Sequence, residues 1–163
     1  MSDPSDPMGF LVADVARLMR RAFQARFGSG PLTYAQARAL VYLARKQGLR
    51  QVDLAELLEV QPITLARQVD SLAAAGLIER RADPLDRRAY RLHLTDAAQP
   101  HLAEIRSIAA AVRADALAEV APDDAARVVA ALGRMRDALA RPRRASRGTN
   151  GSATRGATRK APR

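Results

Sequence analysis

A mainly α-helical fold with one small β-hairpin is predicted by three features of this sequence. Hydrophobic residues make up 48% of the 163 positions and aromatics only 4%, so aliphatic side chains and alanine must fill the core, which favours helices over a β-sandwich. Apolar residues recur at helical spacing along most of the chain before residue 141. Between Arg88 and Leu94 the period changes to two: Tyr90, Leu92 and Leu94 alternate with Arg91 and His93.

From Pro7 to Phe27, Leu11, Val15, Leu18 and Ala22 fall on one helical face, widened by Met19 and Phe23, and Gly28-Ser-Gly-Pro31 ends the helix. Thr33 has the character of an N-cap, and Gln36 three residues later completes a capping-box pattern. The second helix carries Ala37, Leu40, Val41 and Ala44 and should end near Gly48. A third, from about Gln51 to Leu58, turns Leu54, Ala55 and Leu58 inward. Pro62 suits the first position of a fourth helix, because its missing N–H is not needed there, and Gly76 suits its C-terminal stop. Strands are predicted over Leu77–Ala82 and Arg88–Leu94. Thr95 is then expected to cap a long helix bearing Leu102, Ile105, Ala109, Val112 and Ala116, with Pro100 distorting its first turn or delaying its start. Ala121-Pro-Asp-Asp124 breaks the chain before a last helix with Val128, Leu132, Met135 and Leu139.

The absence of cysteine removes disulfides and thiolate metal sites, and two histidines, His93 and His101, are too few for a rich metal centre, so no metal or other cofactor is expected. The polar start MSDPSDP is not a signal peptide and no apolar run approaches a membrane span, so a cytoplasmic protein without membrane partners is expected. Net charge is +10, but eight of the 27 basic residues and no acids lie in 141–163, which leaves 19 against 17 acids in residues 1–140. The body is thus nearly neutral. The tail is too poor in apolar residues to offset the entropy of ordering. It reads either as an electrostatic arm for nucleic acid or as a solvated tail.

Function is concentrated between residues 51 and 95. On the fourth helix Thr64, Arg67, Gln68 and Ser71 follow i, i+3, i+4, i+7 and share a polar face of hydrogen-bond donors without an acid. Arginine pairs with guanine and glutamine with adenine in the major groove. Asp70 lies one step round and is expected to face a neighbouring helix. The third helix, a short turn and the fourth helix read as helix-turn-helix, and the hairpin follows directly. Helix, turn, recognition helix and ribbon is the winged-helix order. A ribbon tip with Arg87 and Arg88 would reach phosphates or the minor groove, with Asp86 orienting an arginine.

GLIERRADPLDRRAYRLHLT resembles the wing segment of the MarR family of winged-helix regulators, with Asp86 and Arg88 on its D-x-R pattern and Leu94-Thr95 at its end. VQPITLARQVDSLAAAGLIERR resembles the family's recognition helix, and Pro31–Gln36 the start of its second helix. The resemblance spans about residues 10–140. It implies a winged helix-turn-helix flanked by N- and C-terminal dimerisation helices, and a homodimer on double-stranded DNA with a pseudo-palindromic operator. It often implies release by a small phenolic or other aromatic effector, with repression the expected mode. Carried over residue by residue, it implies base contacts for Thr64, Arg67 and Gln68, a phosphate contact for Thr33, a minor-groove role for Arg88 and an orienting role for Asp86. Gln61 and Ser71 complete the DNA-facing candidates at the recognition helix. Arg87 and Arg91 are added for phosphate contact. Two departures stand out: Arg50 replaces a Thr or Ser cap, and Glu59 replaces a turn glycine. The lack of cysteine argues against the family's thiol-oxidation sensors, and the scarcity of histidine against its zinc sensors.

The expected organisation is a disordered stretch over 1–7, a winged-helix domain over 8–140 and a disordered basic tail over 141–163. Within the domain, 32–95 would bind DNA, and 8–30 and 96–140 would form dimerisation helices, whose long apolar stripes extend past a finished domain. The competing reading is a non-specific, architectural nucleic-acid binder driven by the tail. Catalysis by the acidic pair Asp83 and Asp86 is disfavoured because both are expected on an exposed tip without pocket-forming partners. Tyr34 and Tyr42 are assigned to core packing over a ligand cavity.

Overall fold

The structure, a computed structural model, describes residues 7–28 and 30–140; the side chain of Arg87 and the expectations for residues 1–6 and 141–163 lie outside it. The order is α1 (Met8–Phe27), α2 (Tyr34–Arg45), β1 (Leu49–Arg50), α3 (Gln51–Leu58), α4 (Pro62–Ala74), β2 (Ile78–Asp83), β3 (Asp86–Leu94), α5 (Ala98–Ala116) and α6 (Pro122–Ala140). The chain divides between Glu119 and Val120 into two compact units, the second holding α6.

In the first unit a single aliphatic core forms where α2, α3, α4, the sheet and α5 meet. Leu40, Leu43, Leu54, Leu65, Leu72, Leu92, Leu102 and Val69 are its largest fully buried side chains. Phe23 and Phe27, near the end of α1, pack on its margin, whereas every residue from Pro7 to Leu18 is exposed. No residue of α6 is buried.

The expected two-stranded ribbon is part of a three-stranded antiparallel sheet in the order β1-β3-β2. The added strand is two residues long, Leu49 opposite Leu92 and Arg50 opposite Arg91, too short to show a period in the sequence. β2 and β3 also run further toward the turn than expected, leaving Pro84 and Leu85 between them.

Helix starts follow local chemistry. The predicted capping box is present: the Thr33 hydroxyl accepts from the Gln36 amide at 3.3 Å, and the Thr33 amide donates to Gln36 Oε1 at 2.7 Å. At α3, Arg50 cannot cap with an oxygen, and Asp53 supplies the local contact by accepting from the Arg50 amide at 3.3 Å. Glu59 adopts φ 54°, the one non-glycine residue with positive φ among those described. It ends α3 in the left-handed conformation a glycine would take without steric cost. Thr95 does not cap α5. Its hydroxyl donates to the Gly76 carbonyl at 2.6 Å, and the helix begins three residues later, which places Pro100 in its first turn, where no backbone donor is lost.

Candidate nucleic-acid interface

α4 is seated by Leu65, Val69 and Leu72, each at 0% exposure. Its opposite side presents Gln61, Thr64 and Arg67 to solvent, and Arg67 makes no ion pair or side-chain hydrogen bond among the described residues. Ile63 is also exposed, at 67%, in the first turn. Nothing in the sequence pattern marks it as a contact residue, because helical periodicity does not separate an exposed apolar side chain from a core one. An apolar contact to a thymine methyl would suit it.

The remaining predicted members of this face are engaged differently. Gln68 is half-buried with Oε1 shut away and unpartnered, so its amide nitrogen is the end a partner can reach. Bidentate pairing with adenine needs both ends and is not available in this rotamer. Ser71 Oγ accepts a hydrogen bond from Gln36 Nε2 at 2.9 Å. Asp70 does not face a neighbouring helix; it pairs with Arg80 of β2 at 2.5 Å, which offsets the acid nearest to the donor face.

The hairpin is anchored beside its turn by Asp83, the last residue of β2, which corrects the expectation of an exposed acidic pair. Its side chain is fully buried. Oδ1 accepts the Leu85 amide at 3.0 Å, and Oδ2 accepts Arg50 Nε at 3.0 Å. Arg91 Nε lies 3.1 Å from Oδ2 as an ion pair off the hydrogen-bond axis, with Arg91 Nη2 3.4 Å from Oδ1. The Leu85 hydrogen bond holds the Asp83 carboxyl below its ordinary range; burial opposes this, and Arg91 and Arg50 reinforce it. Arg91 also donates to the Gly48 carbonyl at 3.2 Å. The structure thus places Arg91, predicted to meet phosphate, within the anchor. Arg50, read only as an irregular cap, is the anchor's other half.

Beyond the anchor the tip is open. Leu85 is 85% exposed and Arg88 is exposed. Asp86 orients the Arg88 backbone and not its guanidinium: Oδ1 accepts the Arg88 amide at 3.0 Å. Thr33 is exposed at the α2 start, with its hydroxyl already in the capping box.

Between α1, α2 and α5 lies a cavity of about 350 Å³. Met19, Phe23, Ile105 and Val112 give it apolar walls, Arg20, Arg38 and Arg45 add positive charge, and no acid lines it. Tyr34 and Tyr42, assigned to packing, both line this cavity. Tyr42 also packs against the core, so the packing assignment was incomplete. Tyr34 meets Phe23 edge-on at 5.6 Å, and Arg45 lies over the Tyr42 ring at 5.9 Å. Among the described residues no group of three or more His, Asp or Glu is placed to hold a metal ion, and no helix is long and apolar enough to cross a membrane.

Comparison with known proteins gives a consistent result. The MarR family profile matches residues 32–90. A transcriptional regulator, PA3341, is similar at 34% identity over 82% of this chain and 98% of its own, with a TM-score of 0.68. A crystal structure of MarR is similar at 25% identity over 85% of this chain and 95% of its own, with a TM-score of 0.75. BpsR of Bordetella bronchiseptica, whose DNA binding is regulated by 6-hydroxynicotinic acid, shares the fold at 23% identity over 84% of this chain and 98% of its own, with a TM-score of 0.66. With its recognition helix, anchored wing and these relatives together, the chain belongs to the MarR family of winged-helix, DNA-binding transcriptional regulators.

Proposed function

We propose that the protein is a homodimeric repressor that reads a pseudo-palindromic operator and is released by a small aromatic ligand carrying an anionic group. The observation that carries this reading is the pairing of two open donor sets on one frame. Thr64 and Arg67 stand free on α4, and Arg88 stands free on a wing tied to β1 near its turn through Asp83. Free donors on α4 suit base edges in the major groove, and an exposed arginine on a ribbon tip suits a narrow minor groove. Asp86 contributes by fixing the backbone of Arg88, Thr33 and Arg87 by phosphate contact, and Gln61 and Gln68 by single hydrogen bonds.

Dimerisation is supported by the two flanking helices, each taken alone. α1 exposes Leu11, Val15 and Leu18, and α6 exposes Val128, Val129 and Leu132. A second copy covers such stripes in the simplest closed assembly. The effector reading rests on the cavity, whose aromatic and cationic lining suits an aromatic acid such as the one that regulates BpsR. The protein would act where DNA is, without a membrane partner.

Selection from random DNA duplexes at near-physiological salt tests this. The full chain should enrich a pseudo-palindrome with half-sites about one helical turn apart. A second reading, non-specific binding by the arm, is favoured by the eight basic residues of 141–163. It predicts no enriched sequence, and affinity lost when those residues are removed. That pair of results would overturn the operator-reading proposal.

A further inference from the structure

Gln36 and Asp83 are the buried polar or charged side chains of the described residues, and the wing anchor accounts for Asp83. Gln36 is 8% exposed, and both ends of its carboxamide are used. Oε1 accepts the Thr33 amide at 2.7 Å, which is all a capping box requires. Nε2 donates to Ser71 Oγ at 2.9 Å, thirty-five residues further along the chain and in the last turn of α4.

We infer that Gln36 is a positioning residue for base reading: its one carboxamide sets the register between the α2 start and the recognition helix. This rests on the DNA reading above. Leu65, Val69 and Leu72 press α4 onto the core, but hydrophobic contact is non-directional and leaves small rotations cheap. Hydrogen bonds are directional and resist them. Two polar tethers leave α4 at adjacent positions, about 100° apart around the helix: Asp70 to Arg80 on β2, and Ser71 to Gln36 on α2. Together they oppose rotation of α4 about its own axis. The Asp70 tether is exposed and screened, so the part-buried one dominates. A rotation of about 10° at the helix's outer radius of about 5–6 Å moves a side-chain head by about 1 Å, beyond what a recognition geometry tolerates. Thr64 and Arg67 are the heads that move. Ser71 therefore acts through Gln36 and not on a base.

The test is a double-mutant cycle on the full chain, with the duplex it selects from random DNA and a copy of that duplex changed at one half-site base. Ser71→Ala removes the acceptor and leaves the α2 cap whole; Ser71→Thr keeps the hydroxyl. Ser71→Ala should lower discrimination between the two duplexes about tenfold, the size of a typical coupling between hydrogen-bonded partners. Ser71→Thr should restore it. In a Gln36→Ala background, where discrimination has already fallen, Ser71→Ala should cost nothing more. Equal losses from Ser71→Ala in both backgrounds would mean that Ser71 touches DNA directly, and would overturn the inference. Loss of thermal stability with unchanged discrimination would make the contact purely structural and overturn it equally. If the parent enriches no duplex, the DNA reading falls and this inference with it; an enriched duplex with additive losses removes this inference alone.

Discussion

Helices α1 and α4 carry apolar stripes of the same kind and meet opposite fates. In α4, Leu65, Val69 and Leu72 are at 0% exposure; in α1, Leu11, Val15 and Leu18 stand at 38%, 51% and 54%. Amphipathic periodicity announces that a face needs cover and says nothing of what covers it. α4 is covered by its own chain, so its other side is held in a defined pose. The N-terminal half of α1 is left for another surface.

The sharpest way to break this comparison is to attack the covered stripe. Leu65→Ala should destabilise the fold by about 2–5 kcal/mol, measured by urea unfolding at fixed protein concentration. A loss below about 1 kcal/mol would mean that α4 is not seated as described. The uncovered stripe gives the complementary case. Val15→Glu with Leu18→Glu should raise the dissociation constant of the proposed dimer tenfold to a hundredfold, about 1.4–2.8 kcal/mol, read by sedimentation. An unchanged sedimentation coefficient would show that the stripe is merely solvated.

A smaller effect separates the wing from both helices. The folded-state pKa of Asp83 is depressed, so its contribution is complete above the unfolded value of about 3.9 and is lost as pH falls through the lower, folded value. Hydrogen exchange of wing amides should therefore stay protected into mild acid. Asp83→Asn should weaken that protection at neutral pH and converge with the parent in strong acid. A constant offset at every pH would exclude the carboxylate as the cause. The smallest change is a gain. Glu59→Gly relieves a left-handed φ at the cost of extra freedom in the unfolded chain, and should stabilise by up to about 1 kcal/mol in thermal unfolding. A destabilised variant would mean that the Glu59 side chain matters more than its backbone.

Much of this arrangement is legible in the sequence because it depends on neighbours in the chain. Pro62 and Gly76 bracket α4, the Thr33–Gln36 spacing fixes the start of α2, and Tyr90, Leu92 and Leu94 mark β3. What escapes depends on residues far apart. β1 is too short to have a period, and its identity comes from pairing with Leu92 and Arg91. The burial of Asp83 needs Arg50, thirty-three residues earlier, to fold over it. Among arginines in a turn, the same aspartate reads as part of a solvated tip. Ser71 shares the i, i+7 relation with Thr64, yet its partner is on α2, and no helical periodicity reports that. The cavity is a property of three helices meeting, so Tyr34 and Tyr42 look like ordinary core residues until α1 and α5 are in place.

The sheet order β1-β3-β2 has a consequence for the protein at high concentration. β3 is paired along its length with β2 and on its other side with β1 at Arg91 and Leu92, and β1 offers an edge of only two residues. The remaining edge is β2, where Glu79, Arg80 and Arg81 are exposed in succession. An edge lined by charged side chains is a poor template for a strand from another molecule. Copies of this chain are therefore discouraged from joining through their sheets into open-ended aggregates. The dimer proposed above would instead join through helical faces, where a symmetric pair is closed and stops at two.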